Sequence, residues 1–251
     1  MSDAAFQSSR KRLSKSAVSG FVLGAGGIAV LAASATGYRL GWWPVVTTFK
    51  IAEWAAYLAA LGLIVSAIGV VVSRPGARRR GFLLGLLGIA VSLPVVAMAA
   101  QWEYAARTYP PINDISTDIE DPPVFWDMPN PTVYPGAETA ALQRAAYPDL
   151  APLNLSLAPG RAYALAYALA KDKGWEIVAD EPKEGRIEVV DRSLFYGFKD
   201  EIVIRITASD GGARVDLRSR SRIGRIDRGV NAKRIRSFLA ALKESADKVK
   251  Q

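Results

Sequence analysis

The chain contains no cysteine and no histidine. Without cysteine it has no disulfide, no thiolate nucleophile and no zinc–sulfur site. Without histidine it also lacks the usual general base and a common metal ligand. Serine–histidine and cysteine–histidine catalysis are thereby excluded within the chain, which leaves carboxylate, lysine or tyrosine chemistry to any enzyme built from it. The absence of cysteine does not fix a compartment, because exported domains can be disulfide-free. Anions are scarce in one part only. Before Trp102 there are ten cations against Asp3 and Glu53, whereas the remainder is formally neutral, so the net charge of +8 belongs to the first part. A domain that tracks phosphates along a duplex carries net positive charge itself. The neutral second part therefore argues against nucleic acid as a partner.

Three apolar stretches, 17–36, 51–73 and 81–101, are long enough to cross a bilayer, which takes about 20 residues of helix. The first follows "RKRLSK" and precedes "ASA", as a signal peptide would. Its length and the two further spans mark it instead as a retained helix. Arg10, Lys11, Arg12 and Lys15 precede the first span, and Arg74, Arg78, Arg79 and Arg80 separate the second from the third. The intervening loop has only Arg39 and Lys50, with Trp42 and Trp43 suited to the headgroup region. The Lys/Arg bias predicts a cytoplasmic N-terminus and an exported C-terminal part, periplasmic if the host is Gram-negative, in the inner membrane. Gly20, Gly24, Gly81, Gly85 and Gly88 give small-residue spacing suited to close helix packing, either within the bundle or against another membrane protein, and Pro94 predicts a kink. No charge falls in mid-span, which argues against an ion path.

Residues 109–136 contain seven of the fourteen prolines and many carboxylates, so helix and central strand are disfavoured there. Ile112, Ile115, Phe125 and Trp126 make this stretch too apolar for a solvated tether, and it is expected to strap across the folded domain or the membrane surface. Beyond it the pattern predicts a short helix near 138–146, a helix over 161–173, strands over 175–179, 186–190, 200–207 and 213–221, and a helix over 230–249. Asp210-Gly211-Gly212 forms a hairpin turn. The expected organisation is a basic N-terminus (1–16), a three-helix transmembrane region (17–101), an acidic strap (102–136) and an α+β domain (137–251). That domain is expected to be an antiparallel meander of about four strands with helices on one face.

"RSRSRIGRIDRGVNAKRIR", residues 218–236, holds eight cations and one anion. Strand alternation puts Asp216, Arg218, Arg220 and Arg222 on one face and Val215, Leu217, Ser219 and Ser221 on the other. Residues 103–149 have a net charge of −6 and residues 205–236 one of +7. One expectation is that the strap carboxylates, Asp114, Asp118 and Asp121 among them, neutralise the arginines through planar guanidinium forks. The alternative leaves Arg218, Arg220, Arg222, Asp227, Asn231 and Arg234 as a ligand or partner site.

The stretches "PPINDISTD", "DPPVF", "GWEIV", "GRIEVVDRSLFYGFKDEIVIRI" and "VDLRSRSRIGRIDRGVNAKRIRSFL" resemble the domain of unknown function 1499, DUF1499. The resemblance implies a domain of that family behind a membrane anchor like that of its membrane-attached members, and implies no activity. Three functions compete. The first is a membrane-anchored accessory or scaffold protein docking onto a membrane complex or the bilayer surface. The second is a module for anionic lipid or a small anion. The third is an enzyme using Asp114, Asp118 or Asp121 as acid or base, or as Ca²⁺ ligands. "DISTDIED" lacks the glycine and spacing of an EF-hand, and the reading expects no cofactor and no metal.

Overall fold

The computed structural model describes residues 12–129 and 133–249, in two compact units divided after Glu103. Most of the basic N-terminus, including Arg10 and Lys11, and residues 130–132 of the strap lie outside the described residues.

The first unit is built on helices α1 (Lys15–Arg39), α2 (Val45–Val72) and α3 (Phe82–Thr108), each long and apolar enough to cross a membrane. This is a membrane protein by that criterion. The helices meet along small residues. A Cβ placed on Gly20 would lie 2.3 Å from the Ser66 hydroxyl, one on Gly62 2.6 Å from the Gly24 backbone, and one on Gly88 2.1 Å from Ser66. The small-residue spacing is therefore used between these three helices, whose backbones approach too closely for a larger side chain. Pro94 sits inside α3, which continues past it without a break. The segment before α1 is bonded to the α2–α3 loop: Ser14 N–H donates to the Arg80 carbonyl at 2.9 Å and Arg80 N–H to the Arg12 carbonyl at 3.1 Å. Arg12 and Lys15 thus share one end of the unit with the arginines of that loop.

The second unit is α+β. Its elements are β1 (Asp114–Ser116), α4 (Ala137–Ala146), β2 (Leu153–Leu155), α5 (Pro159–Asp172), β3 (Glu176–Glu181), β4 (Arg186–Arg192), β5 (Lys199–Ser209), β6 (Gly212–Ser221) and α6 (Val230–Lys248). The sheet has six antiparallel strands in the order β1-β6-β5-β4-β3, and β2 pairs with the other half of the β6 edge. The sequence predicts only four because β1 and β2 have three residues each, too few to show alternation, and β1 is enclosed by the prolines of the strap. Asp210 and Gly211 form the two-residue β5–β6 turn, with Gly211 at φ +82°, a conformation suited to glycine. That turn fixes the register of the two long strands.

Alternation gives the sheet two different faces. Ile187, Val189, Ile202, Ile204, Ile206, Val215 and Leu217 pack under α5 and α6 with Ile235, Phe238 and Leu242. Trp175 stacks on Phe238 with ring centroids 5.3 Å apart. The opposite face bears the arginines and is covered by the strap, where Phe125 and Met128 bury against Val190 and Val203. Ile112 and Ile115 also bury, whereas Trp126 and Val133 stay exposed.

Candidate functional site

The face beneath the strap carries a lattice of guanidinium and carboxylate groups. Arg218, on β6, is only 1% exposed. It grips Asp114 with both arms, Nε to Oδ1 at 2.9 Å and Nη2 to Oδ2 at 2.8 Å, and donates from Nη1 to the Pro123 carbonyl at 3.1 Å. Its guanidinium lies 4.9 Å from the Phe125 ring centroid and 5.4 Å from that of Tyr134. Two-pronged pairing and stacking are what a planar fork does and an ammonium cannot. Burial, with the Asp114 carboxylate nearby, pushes the Tyr134 phenol up to about 12.

Arg220 and Arg222 take a different partner. Arg220 Nε donates to Glu201 Oε2 at 2.8 Å, and Arg222 Nε to Glu201 Oε1 at 2.7 Å. Glu201 is fully buried. The Arg220 guanidinium lies 4.1 Å from the Phe125 centroid, so this one strap residue is flanked by two arginines. Further along the face, Arg205 bonds Asp121 at 2.8 Å and Arg214 bonds Asp118 at 2.6 Å, and both reach Asp216. Arg186 joins Asp127 at 2.7 Å to Glu188 at 2.6 Å. Glu188 also accepts the backbone N–H groups of Trp126 and Asp127, which fastens the strap to β4.

The other residues singled out in the sequence lie at the helix side of the sheet. Asn231 receives the Ser219 hydroxyl at 2.7 Å and donates to the Asn113 carbonyl at 3.0 Å and to the Ser221 hydroxyl at 3.2 Å. Arg234 bonds Asp191 at 2.9 Å and Asp200 at 2.6 Å. Asp227 accepts the N–H groups of Gly229 and Asn231, both at 2.8 Å, and so satisfies the start of α6. Gly229 has φ +79° and lies against the Tyr109 ring, where a Cβ would come within 2.7 Å. Asn231 meets Ser219, and Ser219 alternates with Arg218 and Arg220. The expected ligand set is therefore divided between two faces, with Arg218, Arg220 and Arg222 under the strap and Asp227, Asn231 and Arg234 beside α6.

The family model described as "Protein of unknown function (DUF1499)" matches residues 114–242. The chain belongs to the DUF1499 family. No curated protein and no solved structure matches it. The DUF1499 region opens on Asp114, the carboxylate gripped by Arg218, and ends within α6, so it takes in the whole lattice. Among the described residues, no group of three carboxylates is placed to hold a metal ion. Asp114, Asp118 and Asp121, considered above as acid, base or calcium ligands, each bond an arginine in this DUF1499 domain.

Sequence reasoning missed four carboxylates supplied by the sheet itself, Glu188, Asp191, Asp200 and Glu201, and it placed Asp216 on the arginine face without assigning it a partner. The signal was available. Counting back from the two-residue Asp210-Gly211 turn sets Glu201 opposite Arg220 and Arg205 opposite Asp216, and opposite charges in such cross-strand positions attract.

The carboxylates respond to pH with opposite signs. Burial pushes Asp118 up, but the N–H groups of Asp121 and Glu120 and the Arg214 and Arg205 guanidiniums together hold it below its ordinary value of 3.8. Burial dominates at Asp200 and Asp227 and holds both above that value. A group with a raised folded value favours folding below its unfolded value, and that contribution is lost as pH rises through the folded value. A group with a lowered value favours folding above its unfolded value and loses that as pH falls. As pH falls from 7, stabilisation from Asp200 and Asp227 should appear first, and loss of the Asp118 contribution should follow below about 4. Urea unfolding followed across pH checks the order. Asp227→Asn should remove part of the upper limb and leave the lower one.

Proposed function

We propose that this protein is an integral inner-membrane protein whose exported, periplasmic domain serves as an accessory or scaffold module, docking onto a membrane complex or the membrane surface. The observation that carries this reading is the internal neutralisation of the arginine ladder. Arg205, Arg214, Arg218, Arg220, Arg222 and Arg234 all bond carboxylates of the same domain. Such a lattice supports a rigid, strapped body rather than a surface that tracks nucleic acid, since phosphate-binding cations must be available and in net excess. In this reading Asp114, Asp118 and Asp121 hold the strap, and the cations beneath it, Arg218, Arg220 and Arg222, shape the docking body from within. Asp227, Asn231 and Arg234 hold α6 to the sheet. A module that takes up anionic lipid or a small anion directly on those arginines is less well supported, because an incoming anion would have to displace Asp114 or Glu201.

Orientation rests on charge. Arg12, Lys15 and the α2–α3 arginines share one end of the helical unit, and short loops rich in Lys and Arg remain cytoplasmic. A Ser209→Cys substitution in this cysteine-free chain should react with a membrane-impermeant maleimide in cells with a permeabilised outer membrane, whereas Ser9→Cys should not. The reverse pattern would overturn the orientation. A turnover reaction abolished by Asp114→Asn in a protein that remains folded would overturn the non-enzymatic role.

A further inference from the structure

The β4–β5 hairpin ends in Leu194-Phe195-Tyr196-Gly197-Phe198. Hairpin turns are normally made of glycine, asparagine, aspartate or serine, yet here Leu194 is 94% exposed and Phe195 45% exposed. The turn is well bonded. Ser193 N–H donates to the Phe198 carbonyl at 2.8 Å, Gly197 N–H to the Ser193 carbonyl at 2.8 Å, and Phe198 N–H to the Ser193 hydroxyl at 2.9 Å. The Tyr196 ring stacks on Phe198 and meets Phe195 edge-on, with ring centroids 4.9 Å apart in both contacts. The result is an ordered apolar wedge.

Strand register locates the wedge within the sheet. Arg192 opposes Lys199, Asp200 opposes Ser221 and Asp114 opposes Arg220. The hairpin apex, the end of β6 and the start of β1 therefore share one end of the sheet, and the polar Asp210-Gly211 turn lies at the other. The start of β1 is where the chain arrives from the third apolar helix. Residues 109–113 separate Thr108 from Asp114, six steps along the chain with a reach of at most about 22 Å. The same end carries Arg192, Lys199, Arg222 and Arg225, with Ile223 39% exposed and the Arg222 N–H bonded to the Lys199 carbonyl.

We propose that this apex inserts into the lipid interface on the exported side, with Leu194 and Phe195 at the boundary of headgroups and acyl chains and with Lys199 and Arg225 against anionic lipid phosphates. The proposal rests on the reading of the domain as an exported docking module and names the surface it docks with. Aromatic rings favour the headgroup level, and basic residues near the surface add electrostatic attraction. A protein partner is the weaker fit, because a convex tip of five residues is small against the roughly 800 Å² per side of a stable interface.

The test uses the full-length protein carrying Leu194→Cys or Ser209→Cys, labelled with a nitrobenzoxadiazole probe and reconstituted into vesicles of phosphatidylethanolamine and phosphatidylglycerol. The probe at 194 should emit blue-shifted light and be quenched by shallow spin-labelled lipids, at a depth of roughly 5–10 Å. The probe at 209 should keep its aqueous emission. Aqueous emission at 194 with no lipid quenching would overturn insertion. If Ser209→Cys still labels from outside intact cells in that case, the exported-domain reading stands and only the insertion falls.

Discussion

Asp114→Asn should lower the unfolding free energy of the DUF1499 domain by about 3–5 kcal/mol, the range for removing one partner of a buried ion pair. Arg218 would keep its charge in a buried site, with the Pro123 carbonyl and the Phe125 and Tyr134 rings among its neighbours but without the carboxylate it grips with both arms. Asp118→Asn should cost far less, about 1 kcal/mol, because Asp118 and its partner Arg214 are more open to solvent and Asp216 remains beside Arg214. Thermal unfolding of the full-length protein in detergent, together with hydrogen exchange at the β6 amides, would separate the two. The contrast follows from position: Asp114 is held in β1 at the β6 edge, whereas Asp118 sits beyond it at the margin of the covered face.

A larger effect is expected of Arg220→Glu combined with Arg222→Glu. On the alternative reading of the sequence these two arginines form a detachable binding surface, whose reversal would weaken association and leave the domain folded. In the structure both bond Glu201, which is fully buried. The double reversal would gather three carboxylates where one was balanced by two cations. Repulsion in a poorly solvated site then adds to the loss of attraction. The cost should exceed the roughly 3–5 kcal/mol of a single broken pair, and the DUF1499 domain should not fold at neutral pH. Adding Glu201→Arg to the double variant should restore a measurable part of the folded population. A folded double variant with unchanged exchange at β5 and β6 would mean that Glu201 does not hold these arginines.

The sequence made some of this legible and hid the rest for identifiable reasons. The three helices were legible because each apolar run is long and bordered by charge. Strands β3 to β6 were legible because apolar and polar residues alternate along them, and the Asp210-Gly211 turn marks the longest hairpin. Counting charge over long segments set the strap against the ladder; in the structure Asp114, Asp118 and Asp121 bond Arg218, Arg214 and Arg205. The same counting obscured Glu201 and Asp216, because their charges lie within or next to the basic segment and merely reduce its total. Asp227 caps α6 through bonds two and four residues along the chain, but the role of Asn231 depends on the return of α6 to the end of the sheet. That is a tertiary relationship between residues more than a hundred positions apart, as in the bond from Asn231 to the Asn113 carbonyl, and no local pattern announces it.

The central claim is that the arginine ladder is neutralised by the domain's own carboxylates, and a double-mutant cycle between Asp114 and Arg218 tests it most directly. Asp114→Asn, Arg218→Met and the two together would be compared by urea unfolding of the full-length protein. Once Arg218 is gone, Asp114 has lost the partner whose charge it balanced, so the double variant should be more stable than the sum of the single losses implies. The expected coupling is about 2–3 kcal/mol, within the range for residues in one ion-pair network. Additive losses, with coupling near zero, would contradict the account and show that Arg218 is balanced by something other than the strap.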